Sequence, residues 1–217
     1  MKTLALIPLR GGSKSIPKKN IKEIAGKPLC AWVLEAATHA QHIDTVYVST
    51  DSVEIETVVH SLNLNVKVIQ RPKELATDEA STESVMLHFI EQIACDCLVT
   101  IQATSPVLLS KHLDNALQQF ESQNLDSMLS AVRSKRFFWN DNGIPLNYNP
   151  LKRPRRQEFT GTLMENGAFY ITRCSILEKY KCRLGGKIGI YEMPENSAVE
   201  IDELDDWEIV ARLLQHY

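Results

Sequence analysis

The 217-residue sequence has no Cys-x-x-Cys pair and no Cys/His cluster among its five cysteines. That excludes a zinc ribbon or finger, and the odd count speaks against a disulfide framework. Cys30, Cys95, Cys97, Cys174 and Cys182 therefore read as free thiols of a reducing compartment. No apolar run is long enough to span a membrane, and the short apolar stretch after Lys2 is too brief for a secretory signal. The chain is expected to be cytoplasmic, or nuclear only if its source is an animal, with no membrane partner. An excess of positive charge is also missing: the formal net charge is -3 and the pI about 6.1. That balance disfavours a nucleic-acid-binding role. Repeats and low-complexity tracts are lacking, and 7% aromatics with 44% hydrophobic residues is ordinary for a globular protein.

What is present is an alternation. Thr3–Leu9, Asp44–Thr50, Val66–Ile69, Cys97–Gln102 and Ser127–Val132 are short apolar runs that read as strands. Between them lie helical stripes, such as Trp32, Val33, Ala36, Ala37 and Ala40, or Leu113, Ala116, Leu117 and Phe120. Asp51 with Glu54, Ser81 and Ser110 read as helix N-caps. Strands alternating with amphipathic helices predict a Rossmann-like, doubly wound, mostly parallel α/β sheet. Ligands of such sheets sit beyond the carboxyl ends of the strands. Those ends deliver Arg10–Asn20, Thr50-Asp51, Arg71 and Gln102–Pro106.

The rhythm breaks after Val132. Phe137–Pro145 reads as a hairpin around Asn142-Gly143, and Leu146–Gly167 is basic, proline-containing and aperiodic. The segment 133–167 is expected to be an arm inserted within a single domain spanning 1–217. The pattern then resumes with "AFYIT" and "KIGIYEM" as strands and a last helix carrying Leu204, Trp207 and Leu214.

The first strand empties into "RGGSKSIPKKN". Two glycines let backbone N–H groups converge on an anion, and Arg10, Lys14 and Lys19 add charge-assisted donors for phosphate. The spacing is neither Gly-x-Gly-x-x-Gly nor Gly-x-x-x-x-Gly-Lys-Ser/Thr, which excludes the dinucleotide and P-loop fingerprints. The alternative is a solvated turn with surface lysines.

This loop resembles the nucleotide-binding signature of the acylneuraminate cytidylyltransferases, the CMP-sialic acid synthetases. "VYVSTD", "RPKELATDEAST", "IQATSP", "NYNPLKRPRRQEF", "MENGAFYIT", "GGKIGIYEM" and "EIDELDDWEI" resemble further motifs of that family in the same order, over nearly the whole chain. The resemblance implies a nucleotide-diphospho-sugar transferase type of sheet and the transfer of CMP from CTP to the anomeric hydroxyl of a nine-carbon α-keto sugar acid. An eight-carbon acid, or a non-catalytic nucleotide-binding relative, are the alternatives.

The resemblance also distributes roles. Arg10, Gly11, Ser13, Lys14, Lys19 and Asn20 would bind the nucleotide, with Arg71, Ala80 and Thr82 at the base. Gln102, Thr104, Ser105, Asn166 and Tyr170 would hold the sugar, joined by Arg153 and Arg156 from the arm of a neighbouring subunit in a homodimer or a dimer of dimers. Glu200 and Asp202 would ligate Mg2+, and Arg10, Lys19 and Asp202 would be catalytic. The basic stretch Lys152–Arg156 also admits a solvated or nucleic-acid-binding patch, or a nuclear import signal. Two departures stand out: Val107-Leu108 follows Ser105-Pro106 where a cation is usual, and Glu200 replaces the usual Asp.

Overall fold

The computed structural model describes residues 1–215. In chain order its strands and helices are β1 (Thr3–Pro8), a small hairpin of β2 (Glu23–Ile24) and β3 (Lys27–Pro28), α1 (Leu29–Thr38), β4 (Thr45–Thr50), α2 (Val53–Ser61), β5 (Val66–Gln70) and α3 (Thr82–Gln92). There follow β6 (Cys97–Ile101), α4 (Ser110–Ser122), β7 (Ser127–Ser134), β8 (Thr162–Arg173), α5 (Cys174–Tyr180), β9 (Ile188–Met193) and α6 (Leu204–Leu214).

Seven strands form one sheet in the order β5-β4-β1-β6-β8-β7-β9. All neighbours are parallel except at β8, which runs antiparallel to both β6 and β7. The α/β class and its mostly parallel sheet are thus as the alternating pattern predicts. From β1 the chain builds outward through β4 to β5, then crosses back to place β6 on the other side of β1. The strand order reverses between β1 and β6, and a crevice opens at such a switch point.

Strand alternation sorts the core. Ala5, Ile7 and Leu9 pack with Val33, Ile55 and Leu117 of α1, α2 and α4 on one face. Leu4 and Leu6 pack with Met86, Phe89 and Leu177 of α3 and α5 on the other. Helix α6 closes a third cluster, in which Val210 and Leu214 meet Ile16, Leu29 and Val107. Val107 and Leu108 are both buried in the core.

Two caps change and one short helix is added. Helix α2 is capped by Ser52, whose Oγ accepts from Ile55 N at 3.3 Å, so Asp51 is not part of a capping box. In α4, Ser110 is the first helical residue, and the cap is closed by His112 Nδ1, which accepts from Leu109 N at 3.3 Å. The short helix α5 lies between two expected strands, where the sequence reading placed no element. Ser81 caps α3 as read, accepting from Ser84 N at 3.1 Å.

The inserted arm is shorter than its sequence bounds. β7 and β8 continue through its base, pairing Arg133 with Leu163 and Ser134 with Thr162. Beyond them, Phe137 packs on Tyr148 and Phe159 with ring centroids 4.1 and 4.9 Å apart, and the Arg153 guanidinium sits 4.6 Å over the Phe137 ring. Trp139 pairs with Pro145 across the expected hairpin, whose Gly143 takes a φ of 73°. Leu151 stands 93% exposed at the arm's tip.

The cysteines are free thiols. Folding brings Cys95 and Cys174 together, with sulfurs 2.7 Å apart, although 79 positions separate them. Among the described residues no helix is long and apolar enough to cross a membrane.

Candidate active site

A polar cleft of about 530 Å3 lies at the switch point. Its floor is the loop after β1. Lys18 takes a left-handed conformation (φ 54°) that turns the chain at Lys19. Lys18 then points outward to Glu54, while Lys19 turns inward and its Nζ donates to Ile201 O at 3.0 Å, 3.8 Å from Asp202 Oδ1. Asn20 braces the loop by donating from Nδ2 to Arg10 O at 2.9 Å.

Arg10, Ser13, Lys14, Lys19, Asn20, Arg71, Ala80 and Thr82 all line this cleft, and Gln102, Thr104 and Asp202 close its far end. Residues from five separate stretches of sequence therefore converge on one cleft. Gly11 does not line it. Its N–H donates to Asp51 Oδ1 at 2.9 Å, and a Cβ at this position would come within 3.0 Å of Ser52 Cβ. Gly11 serves close approach of the loop to α2, and Gly12 is the glycine that faces the cleft. Asp51 is thereby a loop-holding residue rather than a helix cap.

The cations are not bare. Arg10 Nη1 lies 2.7 Å from Asp78 Oδ1 and donates to Thr77 O at 3.1 Å, and Lys14 Nζ lies 2.9 Å from Asp78 Oδ2. These donors hold the Asp78 carboxyl below the usual carboxylate range. Arg71 is buried, donating from Nη2 to Ser49 O at 2.6 Å and from Nε to Ser49 Oγ at 3.2 Å. Burial pushes its pKa down to about 10, against the attraction of Asp51. It remains a fixed cation at neutral pH.

A second pocket of about 470 Å3 opens from the far end of the cleft and shares Gln102, Thr104 and Asp202 with it. Glu165, Tyr170, Arg183 and Glu200 complete its walls. A bulge in β8 shapes it: Leu129 pairs with Tyr170 but Ala131 pairs with Glu165, leaving Asn166 to Phe169 without register partners in β7. Within it Gly167 takes a φ of 62°, and a Cβ there would come within 2.6 Å of Glu200 Oε1. Tyr170 OH donates to Glu165 Oε1, and burial is the first cause raising its pKa. Burial likewise raises the Glu200 carboxyl, with Asp202 and Glu165 adding like charge and Lys19 opposing them.

Besides Gly11, four sequence candidates lie elsewhere. Ser105 is wholly buried, its N–H donating to Gln102 O in the strand-end turn. Asn166 is buried on the opposite side of the bulge, where its Nδ2 donates to Ser197 O at 2.9 Å. Arg153 and Arg156 are exposed on the arm. Arg183, Glu165 and Asp78 are pocket residues that the sequence reading missed. Asp78 lies inside a quoted motif, but Arg183 carries no pattern that marks it.

A doubly wound sheet with buried and exposed cations gathered at its switch point defines an α/β protein with an anion-accepting cleft. The comparison with known families makes this specific. The chain belongs to the cytidylyltransferase family, whose model matches residues 4–215. It is 41% identical over 213 residues to N-acylneuraminate cytidylyltransferase A of Danio rerio, covering 94% of this chain and 49% of that protein. It is 27% identical over 227 residues to an N-acylneuraminate cytidylyltransferase of Streptococcus agalactiae serotype III, covering 100% of this chain and 54% of that one. The chain thus spans about half the length of the curated relatives it matches. In fold it is similar to a CMP:2-keto-3-deoxy-manno-octonic acid synthetase complexed with CTP, with a TM-score of 0.75, 21% identity, and coverage of 100% and 99% of the two chains.

Proposed function

We propose that the protein transfers CMP from CTP to the anomeric hydroxyl of a nine-carbon, sialic-acid-type α-keto sugar acid, releasing pyrophosphate. The observation that carries this reading is the junction of the two pockets: Gln102, Thr104 and Asp202 line both the cationic cleft and the smaller polar pocket. A triphosphate in the first and a sugar acid in the second would meet at these residues. The names of the relatives at 41% identity supply the substrate class.

In this reading Arg10, Ser13, Lys14 and Lys19 hold the triphosphate, and Asn20 touches the nucleotide sugar or α-phosphate. Arg71, with Ala80 and Thr82, reads the cytosine edge. Lys19 would face the α-phosphorus, where a cation can stabilise the charge that develops as pyrophosphate leaves. Closing two substrates into adjoining pockets supplies orientation that free collision lacks.

Glu200 and Asp202 would hold Mg2+. Among the described residues no group of three or more His, Cys, Asp or Glu side chains is placed to hold an ion. Two carboxylates with phosphate and water completing the shell is the usual arrangement for magnesium. The like charge crowding Glu200 fits such a cation. The ion, when bound, would neutralise phosphate charge and so assist attack at phosphorus.

The arm is the assembly element of this reading. It keeps its own aromatic cluster and exposes Leu151, and it would present Arg153 and Arg156 to the sugar site of a second copy. The protein would act as a homodimer, or as a dimer of dimers, in the cytoplasm. The direct test incubates the protein with CTP, Mg2+ and single sugar acids, and measures pyrophosphate and CMP-sugar together. Turnover with nine-carbon acids supports the reading, turnover only with an eight-carbon acid replaces the substrate, and binding of CTP without product leaves a nucleotide-binding relative.

A further inference from the structure

The smaller pocket has no aliphatic side chain in its lining. Its walls are Gln102, Thr104, Glu165, Tyr170, Glu200 and Asp202, with Gly167 and, on one side, Arg183. Arg183 belongs to the loop between α5 and β9 and is held on three sides. Its Nε and Nη2 donate to the two oxygens of Glu83 at 2.6 and 3.0 Å. Its guanidinium carbon sits 4.7 Å over the Tyr170 ring. Its carbonyl accepts from Thr172 Oγ1 at 2.6 Å. The two bonds to Glu83 leave Nη1 out of that pair. Glu83 lies in the first turn of α3, beside Thr82 of the nucleotide cleft.

We infer that Arg183 is a specificity-determining residue of this pocket and Glu83 its positioning residue, and that together they favour a sugar acid bearing hydroxyls over one bearing an acylamido group at the facing carbon. The inference rests on the cytidylyl-transfer reading and names the substrate within it. A planar guanidinium locked by a bidentate carboxylate presents a fixed donor to a hydroxyl oxygen. The carboxylate of Glu165 and the oxygens of Gln102 and Thr104 can accept from hydroxyl hydrogens, with Glu200 and Asp202 left to the metal. An acyl methyl in the same place meets mostly polar groups, because the Arg183 guanidinium overlies the Tyr170 ring. It would displace their water and return no hydrogen bond.

The test compares kcat/KM for two nine-carbon acids that differ only in hydroxyl against N-acetyl at one carbon, each with saturating CTP. The chain is expected to favour the hydroxylated acid by about tenfold or more, the scale on which a pocket resolves small substituents. Arg183→Leu supplies the missing apolar wall and should bring the ratio to unity or reverse it, with KM for CTP unchanged. Arg183→Lys keeps the charge but not the fork and should fall between. Glu83→Gln should raise KM for the hydroxylated acid several-fold with a smaller change in kcat. A preference of the unaltered chain for the N-acetyl acid overturns the inference, as does a ratio unmoved in both Arg183 variants. If Arg183→Leu fails to fold by circular dichroism, Arg183→Lys decides alone. Absence of pyrophosphate release with either acid removes the cytidylyl-transfer reading and this inference with it.

Discussion

Arg10 Nη1 lies 2.7 Å from Asp78 Oδ1, and the other oxygen of the same carboxylate lies 2.9 Å from Lys14 Nζ. One acidic side chain thus sits on two of the cations assigned to the triphosphate. A phosphate entering this cleft would take over those donors, and Asp78 would have to give them up. The exchange is easy because exposed ion pairs are weakly held.

Replacing Asp78 with Asn removes that competition. Asp78→Asn is expected to lower KM for CTP roughly twofold to fivefold, with little change in Tm. Initial-rate kinetics at fixed sugar acid check it. A raised KM would mean that Asp78 orients the cations rather than competing for them.

Lys19 and the arm can be tested together. Lys19→Ala is expected to lower turnover at least about a hundredfold, the cost of losing one donor aimed at developing charge. Arg153→Ala and Arg156→Ala should impair use of the sugar acid more than binding of CTP. If the arm completes a neighbour's site, mixing Lys19→Ala with Arg153→Ala proteins should restore part of the activity. Equal inactivity of the mixture, with subunit exchange demonstrated by mass spectrometry, would remove the shared site.

The acidic pair separates metal binding from helix stabilisation. Asp202→Asn should reduce turnover steeply and be partly rescued by excess Mg2+. Glu200→Asp should be tolerated and Glu200→Gln should not. Because Glu200 is half-buried beside Asp202 and Glu165, Glu200→Gln should leave Tm level or higher while activity falls. If both acids act only on the N-terminus of α6, activity stays near normal and Tm drops slightly. Rates against Mg2+ concentration, read beside melting curves, tell the two apart.

His112 gives the fold a pH dependence independent of the site. It is buried at the start of α4, and burial, with Lys111 adding to it, lowers its pKa from 6.5 to about 4. The folded chain therefore binds fewer protons than the unfolded chain between those values. Stability from this group is complete above pH 6.5 and is lost as pH falls toward 4. At pH 5 the loss is about 2 kcal/mol. His112→Asn keeps an acceptor for Leu109 N and should flatten that part of the stability profile in urea melts at pH 7.5 and 5.

The strands, the main helices and the cationic loop were legible because each rests on a local period or a local composition. Thr3–Pro8, Thr45–Thr50 and Cys97–Ile101 announce themselves as apolar runs, and the polar segments that follow them had to share one rim. The arm showed itself as a loss of period, although its base joins the sheet. What the sequence could not hold was direction. The antiparallel course of β8 and the bulge at Gly167 depend on register with β7, which is a relation between distant segments. The role of Gly11 depended on the approach of Ser52, and the inward burial of Asn166 on which way the bulge turned. Arg183 stands 100 residues from Glu83. Sequence by itself determined which segments carry cations and acids. Only the tertiary structure decided which carboxylate each cation meets and which pocket that pair faces, because those partners are chosen by strand pairing and helix packing across the sheet.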